Sequence, residues 1–143
     1  MKILVINGPN LNLLGKRNPE QYGALTLEEI NLILTNKFPS HSFTFVQSNH
    51  EGKIIDSIQS SEANGFSGII INPGGYSHSS VAIRDALEII KIPKIEVHLS
   101  NLAKREEFRQ QSITATAVNG YLSGFGEKGY LAAVFLLEEM INP

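Results

Sequence analysis

Two short stretches limit most strongly what this chain can fold into. Ile3 to Ile6 and Ile69 to Ile71 are continuously apolar and mostly β-branched, with no polar residue alternating along them. A strand of that kind offers no face to water, so both its faces must be covered, as they are for a central strand of a parallel sheet flanked by helices. Asn7-Gly8-Pro9-Asn10 ends the first run, and Asn72-Pro73-Gly74-Gly75 ends the second. Glycine and proline punctuate both at the same point, directly after a strand.

The intervening sequence alternates to match. Thr26-Leu27-Glu28-Glu29 has the capping-box pattern, and Leu27, Ile30, Ile33, Leu34 and Phe38 recur at helical spacing up to Pro39. Ser42 to Ser48 reads as the second strand and Lys53 to Ala63 as the second helix. A third helix is expected from near Ser77 to Ile90, and the fourth strand from Lys94 to Leu99. A short charged helix over Ala103 to Gln110, a fifth strand over Ile113 to Val118 and a last helix over Tyr130 to Ile141 complete the reading. Five βα units without a linker or repeat predict one α/β domain over residues 1–143: a flavodoxin-like three-layer sandwich on a five-stranded parallel sheet of order 2-1-3-4-5.

The 143 residues carry twelve lysines and arginines against fourteen acidic residues, and no cysteine. Thiol catalysis and thiolate metal sites are excluded. With no basic run and no apolar stretch near the ~20 residues of a membrane span, neither nucleic acid nor a membrane is the expected partner. The four apolar residues before Asn7 are too few for a secretion signal, and a cytoplasmic location is expected.

Parallel sheets of this kind bind ligands beyond the carboxyl ends of the strands where the order reverses, here between strands one and three. On strand four, Ile95, Val97 and Leu99 point one way and Glu96, His98 and Ser100 the other. Such a polar stripe needs partners or a polar pocket, because burying it unpaired costs several kcal/mol. Glu96 is placed to orient His98 as a general acid, or the two simply satisfy each other in the core. Leu14 to Gly23, bracketed by glycines, has the character of a lid. Its Tyr22, with an ordinary phenol pKa near ~10, needs a cation such as Arg17 or Arg109 to serve as a base at neutral pH; on composition alone, a tyrosine packed at a turn is the simpler reading. His78 lies just past Gly74-Gly75, either beside a ligand or merely in a helical first turn. Asp85, seven residues on, is about 10 Å further along the helix and either reaches a neighbouring subunit or pairs with Arg84 at the surface. Arg109 has Glu106 at i−3 as a ready surface partner.

Five ordered blocks bring these residues together: Asn7 to Gly15 with Arg17 and Tyr22, Gln47 to Gly52, Asn72 to His78 with Arg84-Asp85-Ala86, Glu96 to Asn101, and Arg105 to Arg109. In content and spacing they resemble the type II 3-dehydroquinate dehydratases. The resemblance implies a single catalytic domain, a lyase of the shikimate pathway of aromatic amino acid biosynthesis. It would remove water from 3-dehydroquinate by anti elimination through an enolate, without metal, cofactor or Schiff base. It also implies roles. Tyr22 would take the C2 proton with Arg17 favouring its ionisation, Asn10 would hold the water or enolate oxygen, and His98, oriented by Glu96 and beside Asn72, would protonate the departing hydroxyl. Leu99 and Ser100 would bind the carboxylate. His78, Arg109 and an Asp85 from an adjacent subunit would bind ring hydroxyls within a homododecamer, a tetramer of trimers. Gly75 departs from the alanine of many relatives but removes no reacting group. The competing reading is a non-catalytic module, a mononucleotide binder or a receiver; a receiver, however, needs acidic residues where this chain has Asn7 and Asn72.

Overall fold

A computed structural model describes all residues, Met1 to Pro143. Five parallel strands form one sheet: β1 (Lys2–Asn7), β2 (Ser42–Gln47), β3 (Gly68–Asn72), β4 (Lys94–His98) and β5 (Gly120–Ser123), in the order β2-β1-β3-β4-β5. Five α-helices accompany them: α1 (Pro19–Tyr22), α2 (Leu27–Lys37), α3 (Glu51–Gln59), α4 (Val81–Ile89) and α5 (Lys128–Ile141). The continuous apolar strands behave as their composition requires. Ile3, Val5, Ile70, Ile95 and Val97 face α2 and α5, while Leu4, Ile6, Ile69 and Ile71 face α3 and α4, giving two cores on opposite sides of the sheet.

Local signals set several helix ends. The Thr26 hydroxyl accepts from Glu29 N at 3.2 Å, and Glu29 Oε2 accepts from Thr26 N at 2.8 Å, which is the expected capping box. The third large helix begins later than Ser77: a 3-10 turn spans Gly74–His78, and α4 starts only at Val81, where Ser80 Oγ accepts from Ile83 N at 2.9 Å. Close approach of the β1 and β3 ends accounts for two glycines. A Cβ on Gly8 would stand 2.3 Å from Pro73 O. Gly74 has φ +61°, and a Cβ there would meet Pro9 O at 3.0 Å.

The structure corrects two further expectations. The fifth strand is not Ile113 to Val118; that stretch contains a 3-10 turn, Thr114–Ala117, and the strand is Gly120–Ser123. Asn119 fixes the later start, since its backbone N–H donates to Lys94 O at 2.9 Å while its side-chain oxygen accepts from Lys94 N at 2.8 Å. The β-branched residues before it turn away because Thr114 is fully buried and hydrogen-bonded to Glu96. The charged helix over Ala103 to Gln110 is likewise two 3-10 turns, Leu102–Lys104 and Glu107–Arg109.

Candidate active site

The carboxyl ends of β1, β3 and β4 converge on a single, predominantly polar cleft. It lies where the strand order reverses. Asn10 enters it after β1, Asn72 from the end of β3, His78 from the 3-10 turn that follows, and His98, Leu99 and Ser100 from the end of β4. Arg17 and Tyr22 line it from the segment between β1 and α2, and Arg109 from the segment after β4. Nine of the eleven expected site residues thus share one cavity.

Glu96 stands directly behind it. Its side chain is fully buried, and Oε2 accepts from His98 Nε2 at 3.0 Å and from Ser112 Oγ at 2.6 Å, while Oε1 accepts from the Thr114 hydroxyl. A carboxylate only accepts hydrogen bonds, so it holds the hydrogen of His98 on Nε2 and leaves Nδ1 as the other ring nitrogen. Donation from His98 toward a ligand would then come from Nδ1 of a doubly protonated ring. His78 packs nearby, its ring centroid 6.3 Å from that of His98, and its Nδ1 donates to Gln111 O at 2.7 Å, which fixes its tautomer with Nε2 unprotonated in the neutral form.

Asp85 is the residue one chain does not bring in. It is exposed on α4 and accepts from Arg84 Nη1 at 3.1 Å. Glu88 first, and then Asp85, raises the Arg84 guanidinium above its ordinary pKa. Arg109 lines the cleft but keeps its surface partner too, with Nε donating to Glu106 Oε2 at 2.7 Å. Glu106 is correspondingly held below the usual carboxylate range, chiefly by its own backbone N–H and then by Arg109.

The arginines divide differently from expectation around Tyr22. Arg17 lies over the phenol ring, Cζ 3.7 Å from its centroid. The guanidinium that reaches the phenol oxygen is Arg105, whose Nη2 donates to Tyr22 Oη at 2.9 Å and whose Nη1 donates to Ser100 Oγ at 2.9 Å. Its side chain is only 8% exposed. Sequence reasoning left Arg105 without a role, because beside Glu106 and Glu107 it resembles one more surface charge. Its burial arises from contacts with Tyr22, 83 positions away, and Ser100.

Asn72 is held at both ends of its amide. Oδ1 accepts from Gly74 N at 3.1 Å, and Nδ2 donates to Tyr130 Oη at 3.2 Å. Tyr130 in turn donates to Asn7 Oδ1 at 2.5 Å. Burial pushes the Tyr130 phenol well above its ordinary pKa, and the hydrogen bond with Asn72 offsets this only in part. The hydroxyl therefore remains a donor.

Known proteins match the chain in both sequence and fold. The sequence profile of dehydroquinase class II matches residues 1–138. A 3-dehydroquinate dehydratase of Clostridium botulinum (strain 657 / Type Ba4) is 54% identical over 143 residues, covering 98% of this chain and 97% of the relative. One from Roseiflexus castenholzii is 53% identical over 136 residues, covering 94% and 86%. The crystal structure of type II dehydroquinase from Butyrivibrio crossotus superposes with a TM-score of 0.94 at 50% identity, covering 96% of this chain and 97% of that one. Matched along nearly its whole length in sequence and in fold, this chain belongs to the class II dehydroquinase family.

Proposed function

We propose that the chain is a single catalytic domain that dehydrates 3-dehydroquinate to 3-dehydroshikimate, a step of the shikimate pathway, and that it works in the cytoplasm. The observation that carries the reading is a phenol oxygen bound by a buried guanidinium across a cleft wall from a carboxylate-bound imidazole. Elimination α,β to a ketone needs a base for the C2 proton, stabilisation of the enolate oxygen and an acid for the departing hydroxyl. No atom changes oxidation state by electron transfer, so no redox carrier is required. Tyr22 is the base; Arg105 Nη2 donates to its oxygen at 2.9 Å, and the Arg17 guanidinium lies over its ring. The proton leaves C2 as the electron pair moves into the enolate, whose oxygen meets Asn10 or a water it holds. The enolate then collapses, the C1–O bond breaks, and His98 gives the Nδ1 proton to the departing oxygen, which leaves as water. Ser100 and Leu99 receive the carboxylate at the end of β4, while His78 and Arg109 meet the ring hydroxyls. The lid from Leu14 to Gly23 must admit substrate and then exclude water, because a phenolate and an imidazolium are strong partners only in a dry site.

The product is a conjugated enone. Purified protein mixed with 3-dehydroquinate is expected to generate its ultraviolet absorbance, undiminished by borohydride because no lysine forms a Schiff base. Silence in that assay would overturn the reading, and a borohydride-trapped lysine adduct would overturn the mechanism.

The proposal includes a homododecamer, a tetramer of trimers. Its support is the position of Asp85, which is exposed on α4 and outside the cleft of its own chain, so it can serve a site only from a neighbour. Sedimentation is expected to give twelve times the 15.7 kDa chain mass, and a monomer at assay concentration would remove Asp85 from the site.

A further inference from the structure

Asn72 lines the cleft, and the sign of its contribution depends on which end of its amide faces the ligand. Oxygen and nitrogen have nearly the same shape there, so only hydrogen-bond partners decide the matter. At one end the decision is clear: the backbone N–H of Gly74 can only donate, so the atom facing it at 3.1 Å is Oδ1. At the other end stands the hydroxyl of Tyr130, a group that both donates and accepts and so would tolerate either orientation on its own. The Gly74 N–H sets the direction of the whole relay: with Asn72 Nδ2 left to donate to Tyr130, the phenol passes its own hydrogen on to Asn7 Oδ1 at 2.5 Å. All three side chains are at most 3% exposed, so water does not compete for these bonds.

We propose that Tyr130, anchored on Asn7, is a positioning residue of the active site that locks the Asn72 amide so that its second Nδ2 hydrogen is presented to a substrate oxygen. The proposal rests on the dehydration reading for the identity of that substrate. Turning the amide over would set Nδ2 against the Gly74 N–H, donor against donor, and would also require Tyr130 to withdraw its hydrogen from Asn7. The first step sacrifices a buried hydrogen bond, and the second requires Asn72, Tyr130 and Asn7 to reorient together in a buried site, so the two restraints act in the same direction. Asn7 Nδ2 has no protein partner, so the tie between the end of β1 and α5 exists at the expense of one unmet donor. The phenol suits the task because burial keeps it protonated across the working pH range.

The test is a double-mutant cycle on kcat/KM with 3-dehydroquinate. Tyr130→Phe preserves the shape of the ring and removes the oxygen. In the otherwise native protein it is expected to lower kcat/KM about tenfold, the scale of one buried hydrogen bond, and in an Asn72→Ala background less than twofold. A purely structural role for Tyr130 would give the same loss in both backgrounds and would overturn the proposal. Should Tyr130→Phe fail to fold, Asn7→Ala leaves the ring and hydroxyl in place and frees only the Tyr130 hydrogen. It is expected to reduce kcat/KM several-fold, and full activity in that variant would also overturn the lock. A separate readout does not depend on turnover: the Asn72 side-chain amide resonance, identified by its loss in Asn72→Ala, is expected to be exchange-protected in the native protein and to lose protection in Tyr130→Phe or Asn7→Ala. An inactive native protein with a protected amide would refute the dehydration and leave the lock standing; an active protein with an unprotected amide would do the reverse.

Discussion

Tyr22→Phe is expected to fold as the native protein does and to lose about 10²- to 10⁴-fold in kcat, the range a positioned general base contributes. The ring is only half-buried at the end of α1, and phenylalanine retains the face on which Arg17 lies at 3.7 Å, so lid packing survives the change. What disappears is the oxygen that Arg105 Nη2 contacts at 2.9 Å. KM should move little, because the lost group acts on a proton rather than holding the substrate. The companion change Arg105→Met separates the base from its supporting charge. It breaks a bridge with Tyr22 at one nitrogen and Ser100 at the other. A charge-assisted hydrogen bond of about 1.5–3 kcal/mol corresponds to a loss of roughly ten- to a hundredfold, with KM rising as well because the Ser100 end binds substrate. Initial rates of enone formation measure both. A Tyr22→Phe enzyme within threefold of native kcat would remove the phenol from the role of base.

Sequence reasoning succeeded where the signal was local. Ile3 to Ile6 announce burial on two faces by their composition alone, and Thr26 with Glu29 closes a capping box within three residues, so β1 and α2 were legible without any tertiary information. The Glu96–His98 pair was legible for the same reason, since the period of two puts both on one face of β4. Ile113 to Val118 misled because β-branched residues favour strands only when nothing else claims them. Here a buried carboxylate 18 positions earlier claims Thr114, and Asn119 sets the pairing with Lys94. Arg105 was missed on the same grounds: its local surroundings are acidic and exposed, and its partners are remote. The rule that joins these cases is physical. Periodicity reports which face is covered, whereas the groups that complete a polar site come from distant segments that no local pattern brings into view.

Glu96 is the sharpest test of how the acid is built, because charge and orientation can be separated there. Glu96→Gln is isosteric, and its best arrangement keeps an oxygen at the Oε2 position, where it accepts from His98 Nε2 and Ser112, and turns the new amide toward the Thr114 hydroxyl, which can accept. The imidazole tautomer is therefore preserved and only the negative charge is lost. In a fully buried site that charge has no other cation among its hydrogen-bond partners, so its attraction for a protonated His98 is little screened. Loss of the charge is expected to lower kcat about a hundredfold, within the usual range for general acid catalysis, with 3-dehydroquinate KM nearly unchanged. Folding should not suffer, since removing a buried charge also removes its desolvation cost. Thr114→Val leaves the charge and deletes one of the two hydroxyls, so its loss should be smaller in kcat but larger in stability, with a buried acceptor left underbonded. Nitrogen NMR of the His98 ring checks the premise: the Nε2–H form should persist in Glu96→Gln. Native kcat in that variant would show that Glu96 serves only to orient the ring, and a switched tautomer would show that its charge, rather than its geometry, sets which nitrogen faces the substrate.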